Sequence, residues 1–383
     1  MVEQGGRGGE ADYTAQLTRE IAALGWGVIL ASADDHLYEP VAGVSVSPVF
    51  HYTRGHSALG RLARRAGFCP IVNGIRFLAS VPRLVLLARR AQIVHVQGWE
   101  FAPLGLIAVA CLRLSGAIVV QTRHNTFERG GSLTALKRLV WRILGVLTER
   151  TIVHTQADID RLPPRTRARA ALIPHGEYGE VARGGGEADR DEARRRLGIP
   201  GDSPAVLMFG QLRTDKGLDD LVAAASEIPT LFLLIGGEEL GALAAARPQL
   251  DAPALEGRVI VREGFLEMKQ AAQLFGAADA VVLPYEVASQ SGVLLLAYGF
   301  QRPVVVYPVG GLIEAVIDGE TGWICSRSDP EALRATLAEV VAAGWPECRR
   351  RGRLGAKLAG DRFGWPAIAR RTSELYGEVL AGA

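Results

Sequence analysis

The sequence predicts an α/β protein built from two parallel-sheet domains. Three observations carry this reading. Short apolar runs alternate with helix-like stretches along the whole chain. The hydrophobic share is 48% and the mean hydropathy +0.14, as expected for parallel strands covered on both faces. The length, 383 residues, is enough for two cores. Alternation of this kind implies right-handed crossovers between parallel strands.

The elements follow in order. Tyr13, Leu17, Ile21 and Leu24 recur at helical spacing and predict a first helix. Gly27–Ser32 is a short apolar run. Ile93–Val96, Ala117–Gln121, Thr151–His154 and Ala171–Pro174 are further strand candidates, with helices near 102–114 and 133–149. In the second half, strands are expected near 205–210, 230–236, 258–261, 280–284 and 303–307. Between the halves, Gly176–Asp191 carries Gly184, Gly185 and Gly186 and no apolar periodicity, so it reads as a linker. Asp191–Pro200 then reads as a short helix stopped at Gly198. Near the end, Ile368, Thr372, Leu375 and Val379 form one helical face that needs an apolar surface to bury against. The expected domains are residues 1–176, residues 177–360, and a helix in 361–383 that returns to the first domain.

Charge and cysteine usage bound the function. The net charge is +2, from 43 basic and 41 acidic residues, which argues against a dedicated nucleic-acid binder. The balance is uneven: between Glu39 and Glu100 there are eight arginines and no acidic residue. The segment 54–90 mixes these arginines with Leu62, Phe68, Phe77, Leu84 and Leu87. A basic amphipathic face of this kind suits an anionic membrane, and an ordinary exposed helix pair is the competing reading. Cys69, Cys111, Cys325 and Cys348 lie far apart and lack metal-ligand spacing, so zinc and a disulfide framework are not expected and a reducing cytoplasm is. The polar, Gly-rich start does not read as a signal peptide. Leu104–Val120 is the best membrane-span candidate, but Arg113 and Ser115-Gly116 interrupt it, and a helix followed by a strand explains it better.

Four turns in the second half each follow an apolar strand-like run. They are Phe209–Gly217, Ile235–Glu239, Pro284–Gly292 and Pro308–Glu314. In a parallel sheet all such turns fall along one edge, where ligands bind. That edge offers Arg213, Lys216, carboxylates, hydroxyls and glycine amides, which suits a nucleoside diphosphate carrying a sugar.

These residues also carry a resemblance. The chain resembles a family-4 glycosyltransferase of the GT-B fold, in which two Rossmann-like domains face each other across a cleft. The matching pieces are the Gly5–Gly9 turn, His124 after a strand, and Ile173–Gly176 before the linker. In the second half they are Gly210–Gly217, Ala278-Asp279, Ser289–Gly292, Gly310-Gly311 with Glu314, Gly319–Gly322 and the closing helix 365–380. The resemblance implies retaining, metal-independent transfer of a sugar from a nucleotide-sugar to an acceptor hydroxyl on a glycan, lipid or small molecule. The nucleotide-sugar is a co-substrate, with no cofactor besides. The donor is expected on the second domain and the acceptor mainly on the first.

Two departures stand out. Many relatives carry paired glutamates seven residues apart. Here Glu286 is followed by Leu294 eight positions on, and Leu296 falls where counting back from Pro303 places the second glutamate. The chain resembles the subset with a Ser-Gln-Ser-Gly turn instead. Relatives also place a full strand before the first Gly-rich turn, whereas only Met1–Gln4 precede it here. Either the first strand is unusually short or the chain begins downstream of its true start.

The candidate site residues follow. Arg213 and Lys216, three apart at a strand-to-helix turn, can neutralise a departing diphosphate. Gly210 opens that turn. Ser289, Gln290, Ser291 and Gly292 can donate to phosphate or sugar oxygens at a helix start, and a simple capping turn is the alternative. Glu286 can accept from donor hydroxyls. Gly5, Gly6, Gly8 and Gly9 would let the backbone approach the sugar or acceptor. His124 can bond a sugar hydroxyl or stabilise charge. Trp99 can stack on a sugar face or simply pack. His154 and His175 read as structural. No Asp-x-Asp motif closes a strand in the second domain.

Other classes share the fold. An epimerase would release no transfer product, a phosphorylase would need a lysine-bound pyridoxal cofactor that nothing in the sequence supports, and a non-catalytic binding protein would explain the missing glutamate.

Overall fold

A computed structural model of the chain describes residues 1–6, 9–52, 69–99, 102–124, 126, 134–185 and 189–382. The chain divides into two compact units: Met1–His175 with Trp365–Ala383, and Gly176–Gly364.

In the first unit, helix α1 (Gly9–Ala23) precedes β1 (Val28–Ala33) and β2 (Val44–Phe50). Helix α2 (Cys69–Ala88) leads to β3 (Ile93–Val96), α3 (Ala102–Leu114) to β4 (Ile118–Thr122), and α4 (Thr134–Leu147) to β5 (Arg150–Val153). Short helices α5 (Gln156–Arg161) and α6 (Pro164–Arg167) precede β6 (Ala170–Leu172). All pairings are parallel. The first strand is reduced to Val2, which bridges Ala31 of β1 on one side and Val96 of β3 on the other. Its amide donates to the His95 carbonyl at 2.8 Å, and its carbonyl accepts from the Gln97 amide at 2.9 Å. The order is therefore β2-β1-Val2-β3-β4-β5-β6, and the winding reverses at Val2.

Strand β2 was not among the expected strands. Its Val-Ser-Val-Ser alternation marks a sheet edge, and only Val49 and Phe50 are buried. The 102–114 helix and the strand after it account for the apolar stretch 104–120. Helix α2, 20 residues long, is instead the one described helix apolar and long enough to cross a membrane, yet its Phe77, Val81 and Leu84 lie in the unit's core.

The closing helix α15 (Trp365–Ala381) belongs to this first unit, as expected. Its Ile368, Leu375, Tyr376 and Val379 bury against Tyr13, Leu17 and Ile21 of α1. Each such side chain contributes roughly 1.5–3 kcal/mol when fully buried. Two polar contacts fix the register: Tyr376 Oη with His95 Nδ1 at 2.6 Å, and Trp26 Nε1–H donating to Ser373 Oγ at 2.8 Å.

The second unit begins with α7 (Gly179–Gly184) and α8 (Arg190–Leu197). Part of the expected linker is thus helix, with Ala182 buried in the unit's core and the Asp189 side chain accepting from the Glu192 amide to cap α8. The sheet strands are β7 (Ala205–Phe209), β8 (Phe232–Gly237), β9 (Val259–Glu263), β10 (Ala280–Leu283), β11 (Val304–Val306) and β12 (Gly322–Ile324). They are connected by α9 (Leu218–Ser226), α10 (Ala242–Leu250), α11 (Met268–Ala277), α12 (Gly292–Gly299) and α13 (Gly310–Ala315), and α14 (Pro330–Phe363), broken at Gly344, closes the unit. The spatial order is β9-β8-β7-β10-β11-β12, all parallel, so this unit is also Rossmann-like and reverses between β7 and β10. At the opposite end of those two strands, buried Asp279 accepts from Arg190, Arg194 and the Ala205 amide. A cavity of about 300 Å³ beside them, lined by Arg190, Asp202 and Trp345, lies away from the strand ends that carry the expected ligand groups.

Candidate functional site

In open parallel sheets, ligands bind beyond the carboxyl ends of the strands where the winding reverses. In the second unit that point is flanked by Gly210–Gly217 after β7 and Pro284–Gly292 after β10. Glycine is required where these turns meet other backbone. Gly217 (φ +68°) presses on the Pro284 carbonyl, 2.1 Å from where a Cβ would stand. Gly237 (φ +141°), ending β8, lies closer still to the Gly210 carbonyl, which stands 1.7 Å from where its Cβ would be. The Glu286 amide donates to the Asp215 carbonyl at 3.2 Å, joining the turns directly.

This packing fixes the cations. Lys216 Nζ stands 3.4 Å from the centre of the Tyr285 ring, a cation–π contact. Arg213 is held by Asp215 in a fork, Nε to Oδ1 at 2.8 Å and Nη2 to Oδ2 at 3.0 Å, and Nη1 donates to Gln211 at 2.9 Å. Both partners are mostly covered, at 18% and 23% exposed. The sequence places the two cations but not Asp215 and Tyr285 as their holders. Tyr285 is some seventy residues away along the chain, and only the fold brings it under Lys216. Burial pushes its phenol up to about 12, with a hydrogen bond from Ser291 pulling the other way.

Ser291 is the N-cap of α12, its Oγ accepting from the Leu294 amide at 3.3 Å. Ser291 thus caps the helix, and one lone pair of its hydroxyl serves the Leu294 amide; the first-turn amides and Gln290 stand beside it. Ser289 is buried and Glu286 is exposed. Leu294 and Leu296, the two positions compared with the second glutamate, are both buried in the apolar core.

The first unit is built differently. The Gly5 and Gly6 amides each donate to the buried Glu3 carboxylate at 2.7 Å. Tyr38 Oη–H donates to the same group at 2.6 Å. Both amide hydrogens are thus taken by Glu3, so any approach of this turn to the sugar or acceptor is through its Cα and carbonyl atoms. Gly9 is the first residue of α1, and Gly8 lies outside the described residues. The Trp99 expectation is corrected. It is buried edge-on to Phe77, with Gly105 against its ring, so it packs the core and presents no sugar platform.

His124 follows β4 in a cluster with Tyr13, His154 and His175. Its Nδ1 meets His154 Nε2 at 3.1 Å, while His154 Nδ1 meets the Ile173 carbonyl at 2.9 Å. A carbonyl only accepts, so His154 carries its proton on Nδ1 and its Nε2 is an acceptor. His124 must then carry its proton on Nδ1. Its buried Nε2 presents a lone pair and has no hydrogen-bond partner among the described residues. Burial lowers the His124 pKa well below the ordinary histidine value, and the neighbouring histidines His154, His175 and His95 add to this; burial brings His154 down to about 4 against the raising effect of its hydrogen bond to the Ile173 carbonyl. His124 is therefore a neutral acceptor, which favours the hydroxyl-binding role over the charge-stabilising one. The role of His154 was missed because the pair is thirty residues apart in sequence.

Among the described residues, no three His, Cys, Asp or Glu side chains converge as metal ligands.

Comparison with known proteins agrees with this layout. Residues 203–343 match the family described as Glycosyl transferases group 1, and residues 8–159 match the Glycosyl transferase 4-like domain. A D-inositol 3-phosphate glycosyltransferase from Segniliparus rotundus is 30% identical over 316 residues, 77% of this chain and 68% of that protein. One from Thermobispora bispora is 28% identical over 408 residues, covering 98% and 91%. One from Xylanimonas cellulosilytica is 35% identical, over 50% of this chain and 46% of its own length. Among solved structures, sucrose-phosphate synthase from Thermosynechococcus elongatus has a TM-score of 0.75 at 22% identity, covering 100% of this chain and 96% of the other. The Anabaena protein HepE, solved in complex with UDP, has a TM-score of 0.74 at 17% identity, covering 98% of each. At these identities the structural likeness concerns the fold. Taken together with the two Rossmann-like units, the sequence matches show that the chain belongs to the group 1 glycosyl transferases.

Proposed function

We propose that this chain transfers a sugar from a nucleoside-diphosphate sugar to an acceptor hydroxyl, with retention at the anomeric carbon and without a metal. The observation that carries the reading is the pair Arg213 and Lys216, held at the sheet's reversal point by Asp215 and Tyr285. The bond from the anomeric carbon to the diphosphate oxygen breaks, the acceptor oxygen takes its place, and the acceptor's proton leaves with the diphosphate. Charge growing on that leaving group is met by fixed cations and by the first-turn amides of α12, with no reorganisation needed at the moment of reaction.

In the first unit, neutral His124 accepts from a hydroxyl of the transferred sugar or the acceptor through Nε2. Glu286 accepts from donor hydroxyls. Because the Ser-Gln-Ser-Gly turn stands without a second glutamate, we assign the chain to the subset that holds the donor through that turn. The names of the sequence relatives support a glycosyl transfer, and the sequence of the second domain, in which no Asp-x-Asp motif stands at a strand end, supports independence from metal.

The test is a thermal-shift screen against UDP-, GDP- and dTDP-sugars, followed by donor hydrolysis and transfer assays with Arg213→Ala and Lys216→Ala. Stabilisation by one donor, with turnover lost in both variants, is expected. Wild-type turnover in both variants removes the assignment. Conversion of the donor to its epimer with no transfer would favour the epimerase.

A further inference from the structure

We propose that the outer face of helices α2, α3 and α4 docks on an anionic lipid bilayer. The proposal is independent of the transfer reading. It rests on a second apolar stripe that each helix carries, away from the stripe it buries. On α2, Ile71, Ile75, Leu78 and Leu86 are exposed and fall within one narrow angular sector, opposite buried Phe77, Val81 and Leu84. On α3, Ile107 and Leu114 are exposed, the latter at 88%, one below the other across two turns. On α4, Leu136, Leu139, Ile143 and Val146 are exposed, while Val140 and Leu144 face the core. Helix α3 packs against both α2 and α4, so the three stripes are neighbours on one surface. Apolar side chains scattered singly over a surface need no explanation, but aligned stripes on adjacent helices mark an interaction site.

Charge selects the occupant. None of the three helices contains an aspartate or glutamate. Between Glu39 and Glu149 the only acidic residues are Glu100 and Glu128, against thirteen arginines and one lysine, in a chain whose net charge is +2. Arg76 and Arg83 on α2, Lys137, Arg138 and Arg142 on α4, and Arg89 and Arg90 just beyond α2 are all exposed beside the stripes. Arg113, on α3, pairs with Glu149 at 2.6 Å. Apolar ridges on helices with an excess of basic over acidic residues fit a surface with hydrocarbon under a layer of negative headgroups. The expected basic segment 54–90 contributes through residues 69–90; residues 54–68 lie outside those described.

The experiment is flotation of the full chain with phosphatidylglycerol–phosphatidylcholine vesicles and with phosphatidylcholine alone, at low and high salt. Two triple variants at exposed positions accompany it: Lys137→Glu/Arg138→Glu/Arg142→Glu, and Leu136→Gln/Leu139→Gln/Ile143→Gln. Circular dichroism and thermal unfolding verify that each remains folded, and sedimentation gives the oligomeric state. At least tenfold preference for anionic vesicles is expected at low salt, weakened by high salt. Each triple should lower the partition at least tenfold. The proposal is overturned by no partition at low salt, by equal partition onto neutral vesicles, or by partition that both triples leave unchanged. It is also overturned if the apolar triple converts a dimer into a monomer, which would assign the face to a second copy of the chain.

Discussion

The two units share a winding order and differ at the point where it reverses. In the second, the strand-end turns hold two cations, one in a carboxylate fork and one on an aromatic ring. In the first, the corresponding turn amides are filled by the chain's own Glu3, and among the described residues the buried, neutral Nε2 of His124 is one of several polar atoms without a hydrogen-bond partner. Under the proposed function one topology supplies two chemistries, an anion site in the second unit and a hydroxyl acceptor in the first. The difference lies in what each turn does with its own charges.

The largest effect is expected at the cations. Lys216→Ala and Arg213→Ala should each lower turnover by roughly 10²–10³, the loss typical for removing one preorganised group that stabilises developing charge. Their thermal unfolding should stay close to wild type, since neither side chain lies in the core. Asp215→Asn tests whether the fork positions Arg213: turnover should fall less than in Arg213→Ala, and guanidinium geometry seen by crystallography should loosen.

Next comes the histidine pair. His154→Phe removes the acceptor that fixes the His124 tautomer. Nitrogen NMR of His124 should then show the proton no longer confined to Nδ1, and activity should drop while donor binding persists. Retention of the Nδ1–H signal in this variant would refute the assignment of the His124 tautomer to His154. The same burial makes the first unit acid-sensitive. His154 has a folded value of about 4 and His95 of about 3, both below the ordinary 6.5. Between those values the unfolded chain binds protons that the folded unit does not. Stability should therefore be highest above about 6.5 and fall as the pH drops toward 4, by roughly 3 kcal/mol for His154 alone. Unfolding followed by tryptophan fluorescence across that range measures it.

A smaller effect is expected from Tyr376→Phe, which leaves His95 Nδ1 buried without its partner on the closing helix. A cost of about 1–3 kcal/mol to the first unit is expected, with turnover per folded molecule little changed. The smallest effect is expected from chelation: activity should survive EDTA, and loss restored by manganese or magnesium would remove the metal-free reading.

How much of this the sequence discloses depends on distance along the chain. Apolar runs that end in glycine turns mark most strands of both sheets, and the spacing of Ile368, Leu375 and Val379 marks the helix that returns to the first unit. Elements with little periodicity escape. The first strand is one residue, Val2, recognisable only through its two neighbours in space, and β12 is three residues next to a turn. Site residues read from their own local turn, Arg213, Lys216 and His124, are placed at strand ends. Their holders, Tyr285 for Lys216 and His154 for His124, come from other strands, and no local pattern announces them. Trp99 shows the converse failure: its residue type and its place beyond a strand end fit a ligand, but the core reached it first.

The most direct test of the contrast between the units is calorimetric titration of nucleoside diphosphates into the wild type, Lys216→Ala and His124→Ala. The account predicts that the wild type binds a diphosphate, that Lys216→Ala weakens binding at least tenfold, and that His124→Ala leaves it within twofold while still losing transfer activity. Equal binding in the wild type and Lys216→Ala, or loss of diphosphate binding on His124→Ala, would contradict it.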